Sequence, residues 1–81
     1  MKFHYVYILQ SETNAERFYT GHTDNLQSRL KAHNQKKCKH TSKYMPWKIK
    51  TAIAFTDEGK ALNFEKYLKT ASGRAFTKKR F

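Results

Sequence analysis

Tyr7, Tyr19, His22, Arg29, His33 and Glu65 are the side chains whose types and spacing can do chemistry in this sequence. The chain has 6 acidic residues, and Glu65 stands beside Phe64 and Leu68 at the edge of an apolar helical stripe. A carboxylate there has two readings. One is a snorkelling or salt-bridged helix residue with Arg29 or a lysine as partner. The other is an oxygen ligand for Mg²⁺, an ion that keeps several waters and goes with phosphate chemistry. Tyr7 and Tyr19 fall on neighbouring strands, where tyrosines are commonly half-buried packing residues. That explanation suits Tyr5. It suits Tyr7 and Tyr19 less well, because His22 ends the same hairpin and Arg29 and His33 lie one helical turn apart. The histidines have no H-x-x-x-H or H-E-x-x-H spacing, and Ser11, Ser28, Ser42 and Ser72 have no nucleophile-elbow context. Zincin and serine-hydrolase chemistry are therefore excluded.

The elements that must position these groups follow from periodicity. Phe3–Leu9 is apolar on both faces and predicts a central strand. Ser11–Glu16 is polar and predicts a turn, after which Arg17–His22 resumes a strand. Gly21 marks its end or a close backbone approach. These runs predict an antiparallel hairpin. Thr23 or Asp24 can cap a helix over Asp24–Asn34 whose buried stripe is Leu26 and Leu30, with Arg29 and His33 on its flank. Gln35–Pro46 has no helical or strand period and predicts a basic loop. In Trp47–Phe55, Trp47, Ile49, Thr51, Ile53 and Phe55 alternate with Lys48, Lys50, Ala52 and Ala54. This predicts a half-buried strand with lysines outward. Thr56 or Asp57 caps a second helix over Asp57–Ala71, buried along Ala61, Phe64, Leu68 and Ala71, and Ser72 can cap a short, frayed final helix. The expected fold is α+β, a three-stranded antiparallel sheet flanked by helices in the order β-β-α-β-α, as one domain over residues 1–81.

These residues resemble the GIY-YIG nuclease superfamily, in particular its small single-domain members. The first motif element appears as Val6-Tyr7-Ile8 and the second as Tyr19-Thr20-Gly21. The segment Asp24–Asn34 is similar to the family's helix bearing a catalytic arginine, and Glu65 falls at the family's metal-binding position. The likeness runs from Tyr5 to about Leu68. Val6 stands where the family has Gly and Thr20 where it has Ile; these positions pack or turn and do not react. The polar residue that many members carry after the metal-binding helix has Thr70, Ser72 and Thr77 as candidates here. The resemblance implies a phosphodiester hydrolase with one divalent ion, Mg²⁺ or Mn²⁺, and a role in DNA repair or recombination. It implies a tyrosine general base, Tyr7 or Tyr19, with Arg29 neutralising the phosphate and Glu65 holding the metal. His22 and His33 fall where relatives carry basic or proton-handling residues. A tyrosine has an ordinary pKa near ~10 and serves as a base only where cations lower it. Phosphoryl transfer asks mainly for such positioned charge.

Composition agrees. The 81 residues hold 17 Lys and Arg against 6 Asp and Glu, a net charge of +11. A domain this small with that excess calls for a polyanionic partner. Aromatics at 15% argue against disorder, a single Cys rules out a disulfide framework, and no apolar run suffices to span a bilayer. The expected setting is cytoplasmic and nucleoid-associated, with no membrane partner. Residues 25–56 contain no acid. Within them Lys31, Lys36, Lys37, Lys39, Lys43 and Tyr44 are the expected nucleic-acid contacts, through phosphates and one aromatic face. Nothing in the chain reads base edges, so a larger protein partner is the expected source of specificity. The leading function is a metal-dependent DNA endonuclease with little sequence preference. The alternatives are a non-catalytic nucleic-acid binder on the same fold and a small RNA- or ribosome-associated basic protein. A nuclease needs Glu65, whereas a binder gains nothing from a carboxylate in its phosphate groove.

Overall fold

A strand that is apolar on both sides needs cover on both sides, and β1 (His4–Ser11) has it. The computed structural model describes residues 2–35 and 39–81. In it β1 is the middle strand of a three-stranded antiparallel sheet, flanked by β2 (Phe18–Thr23) and β3 (Trp47–Phe55). Four helices complete the chain: α1 (Leu26–Asn34), α2 (Lys39–Ser42), α3 (Glu58–Leu68) and α4 (Ala71–Arg80). Val6, Tyr7, Ile8 and Leu9 are each at most 2% exposed. Val6 and Ile8 pack with Ala61 and Leu68 of α3, joined by Phe55, Phe64 and Phe76. Tyr7 and Leu9 face the other way, packing with Trp47 and with Leu26 and Leu30 of α1. The α+β, three-stranded antiparallel expectation holds.

The structure corrects several local expectations. Ser11 extends β1 instead of opening a turn, and it is buried. Its hydroxyl donates to the Tyr44 carbonyl at 2.6 Å and accepts from the Asn14 amide at 3.0 Å, so it ties the hairpin loop to the segment before β3. The cap of α1 is Asn25, whose side chain accepts from the Ser28 amide at 3.0 Å; Asp24 pairs with Lys2 instead. The basic loop contains the short helix α2. The second long helix stops at Leu68. Thr70, not Ser72, caps α4, which runs for 10 residues and is not a frayed turn. Gly73 makes that tight junction possible, since a Cβ there would collide with the Tyr67 carbonyl.

The alternation of β3 also breaks. Ile8 pairs with Thr51 but Leu9 pairs with Ile49, so one residue of β3 is extra at that point. A bulge of this kind reverses which face each later side chain takes. Trp47 therefore joins the Tyr7 side of the sheet, whereas Phe55 packs on the Val6 side. No single face carries Trp47, Ile49, Thr51, Ile53 and Phe55.

Candidate active site

β2 is an edge strand, and the predicted site residues gather on its two sides. Antiparallel pairing sets Tyr7 opposite Gly21 and Leu9 opposite Tyr19, so Tyr19 shares the α1-facing side with Tyr7. His22 pairs with Val6 and takes the opposite side, toward α3.

On the α1 side the groups are packed tightly. His33 is 0% exposed. Its Nε2 hydrogen-bonds the Tyr7 hydroxyl at 3.2 Å, and its Nδ1 hydrogen-bonds the Thr41 hydroxyl at 2.8 Å. The Thr41 carbonyl in turn accepts from the Trp47 indole N–H at 2.7 Å. Burial, reinforced by the Arg29 charge, pushes the His33 pKa below its ordinary value. The ring is thus neutral, with one nitrogen donating and the other accepting, and both hydroxyl partners can match it. The Tyr19 ring lies 4.8 Å from the His33 ring and 6.3 Å from that of Tyr7. Tyr19 is half-buried, and its hydroxyl makes no hydrogen bond among the described residues. Arg29 is half-buried one helical turn before His33. Gly21 is what admits this packing: a Cβ there would lie 2.5 Å from the Tyr7 hydroxyl oxygen and 3.1 Å from the Tyr19 ring. Of its two readings, the close approach is the one realised, since β2 continues to Thr23.

On the α3 side the groups are charged. Glu65 Oε1 accepts from His22 Nδ1 at 2.6 Å, and Oε2 accepts from the Lys69 ammonium at 2.9 Å. Burial opposes ionisation of Glu65, but the hydrogen bonds from Lys69 and His22 outweigh it and hold the carboxyl below its ordinary value. Among the described residues no cluster of three or more His, Cys, Asp or Glu side chains is assembled. Glu65 does fit the mode in which Mg²⁺ takes one carboxylate and keeps its waters. It is ionised and its side chain is 13% exposed, while that of Lys69 is 53% exposed.

Sequence reasoning missed Thr41 and Lys69. Lys69 was legible as an i, i+4 partner of Glu65. Thr41 gave no signal, since it reaches His33 only because α2 folds back under α1. The structure places Tyr44 between the core and two cations. Tyr44 is half-buried against the α1-side core, with the Arg17 guanidinium 4.9 Å and the Lys43 ammonium 5.6 Å from its ring centre. Lys31 and Lys43 are exposed. Lys36, Lys37 and the side chain of Lys39 lie outside the described residues.

The sequence matches the GIY-YIG catalytic domain over residues 3–80. The chain belongs to the GIY-YIG family. It is also 36% identical over 70 residues to a UPF0213 protein of Bacillus licheniformis, a match covering 85% of this chain and 70% of that one. No solved structure matches it. The GIY-YIG domain is a nuclease-type domain, and nucleic acid is the substrate class that it implies. Among the described residues no helix is long and apolar enough to cross a membrane.

Proposed function

We propose that this GIY-YIG domain is a metal-dependent phosphodiester hydrolase that cuts DNA with little sequence preference. One observation carries the reading. Along β2, a tyrosine hydroxyl that no described protein group engages and a histidine bonded to an ionised carboxylate stand three residues apart on opposite sides of one edge strand. A phosphate lying along that edge meets both.

Tyr7 is 2% exposed, and its hydroxyl is spent on His33. It is a positioning residue, as is His33, and together they hold the Tyr19 ring. Tyr19 is left as the group that takes a proton from the attacking water. Arg29 places its charge on the phosphate as negative charge develops there. Glu65 would hold the divalent ion through Oε2, the oxygen that Lys69 otherwise engages. When bound, that ion stabilises charge on the phosphate and leaving oxygens. His22 stays on Oε1 and orients the carboxylate, the part that outer partners of metal ligands commonly play.

The test is nicking of supercoiled plasmid and branched DNA with Mg²⁺ or Mn²⁺, with and without chelator. Cleavage that needs the ion and fails for Arg29→Ala is expected. Tyr19→Phe lowers the rate with little change in DNA affinity, whereas Tyr7→Phe acts mainly on stability. The engagement of both Glu65 oxygens by His22 and Lys69 favours a second reading, a non-catalytic nucleic-acid binder. Failure to cut under any divalent metal, with DNA still bound, supports that reading instead.

A further inference from the structure

The sequence directs attention to the basic segment before β3, but a second cationic surface lies on the α3 and α4 side of the sheet. A groove there runs between the start of β2 and α4, and Phe18, Lys50, Lys69, Arg74 and Lys78 are among its lining residues. Glu16 is the one acid among them. At its mouth Phe18 is 48% exposed, and the Lys50 ammonium sits 5.5 Å from its ring centre. Full burial of such a ring is favourable by about 1.5–3 kcal/mol, and at Phe18 roughly half of that gain is left unrealised. The groove is continuous with the proposed site through Lys69, which lines it and also holds Glu65.

We infer that this groove binds an unpaired nucleic-acid strand, with Phe18 stacking one base and Lys50, Arg74 and Lys78 following the backbone toward Glu65. The inference deepens the proposed function and rests on it for the identity of the substrate. The choice of occupant follows from Phe18. Cations alone fit any polyanion, but a half-exposed aromatic ring among them offers a stacking surface to a base whose own face is free. A duplex keeps its base faces stacked inside and offers the groove phosphates alone. Lys50 adds a cation over the same ring, as is common in sites that stack bases.

The experiment measures binding apart from cleavage. The protein carrying Glu65→Gln is titrated, with chelator present, against labelled oligothymidine, oligouridine and a hairpin duplex with the same number of phosphates. Fluorescence anisotropy is the readout. Phe18→Ala is expected to weaken single-strand binding about tenfold, the scale of one lost stacked base, and to change duplex binding by less than about twofold. Phe18 is half exposed, so this variant keeps the fold. Phe18→Trp is expected to retain the affinity, and its indole fluorescence should be quenched by a single strand and not by the duplex. Tighter binding of either single-stranded probe than of the duplex supports the groove and says which sugar it accepts. Equal losses for both strand types in Phe18→Ala, or no loss for either, overturn it. Absence of plasmid cleavage overturns the nuclease reading and leaves this result standing.

Discussion

The two sides of β2 are built by opposite means. On the α1 side, Tyr7, His33, Thr41 and Trp47 form a buried hydrogen-bonded chain of neutral groups. On the α3 side, Glu65 sits between His22 and Lys69 and opens onto a cationic groove. Buried neutral networks are costly to leave half-satisfied, so they specify geometry. Partly exposed ion pairs add little stability, and their partners can be exchanged. The contrast teaches that shape and charge are separate jobs here. One side fixes where the Tyr19 ring stands, and the other offers a carboxylate that can change partners.

The sharpest way to break this comparison is Glu65→Gln. Metal-dependent cleavage is expected to fall by at least ~10²-fold. DNA affinity should hold or rise, because one repulsive charge is removed, and folding stability should change by about 1 kcal/mol or less. Rate, anisotropy and urea denaturation check the three parts. A variant that cuts like the parent removes Glu65 from the site.

Gly21→Ala tests the other side. The added methyl presses on Tyr7 and Tyr19, so a loss of about 1–3 kcal/mol is expected, as for overpacking in a core. Cleavage should fall with it, even at temperatures where the variant stays folded. Circular dichroism melts run beside the nicking assay separate the two effects.

Thr41→Val keeps the shape and removes one hydroxyl. It leaves a buried His33 nitrogen without its partner, which is expected to cost about 1–3 kcal/mol. DNA affinity should not move. If affinity falls while stability holds, Thr41 faces the ligand and the division between the two sides is wrong.

The smallest effect is the response to acid. The His33 pKa is lowered from 6.5 in the folded protein. Its contribution is therefore whole above about pH 6.5 and is lost as pH falls through the lowered folded value. The Glu65 pKa is lowered from 4.5, so its contribution is whole above that pH and is lost only in stronger acid. Denaturation midpoints against pH should show the buried side failing first. His33→Gln should remove the first step and keep the second.

Local patterns were strong enough to read most of the elements. The two-faced apolar run of β1, the Asp57 cap and the stripe of α3 each need only near neighbours. The motif tyrosines, Arg29 and Glu65 were legible as candidates through the resemblance to the GIY-YIG family. Less was legible where a long-range contact outweighed a local preference. Ser11 reads as a turn residue until the Tyr44 carbonyl is there to receive its hydroxyl. Ser72 reads as the cap of a frayed last turn until Thr70 caps α4 and Gly73 lets it meet α3.

What the sequence determined by itself is therefore the inventory and its order: a central strand, a hairpin, capped helices, an excess of cations and the candidate site residues. Periodicity, capping and charge act over a few residues, so they survive without knowledge of the fold. Only the tertiary structure decided which tyrosine is spent on a histidine and which is left open. It also decided that a bulge turns Trp47 away from Phe55, and that Phe18 and the cations of α4 share one groove. Those outcomes depend on register and on contacts between distant segments. A register shift of one residue exchanges the faces of a strand, and no local pattern in this chain announced that shift.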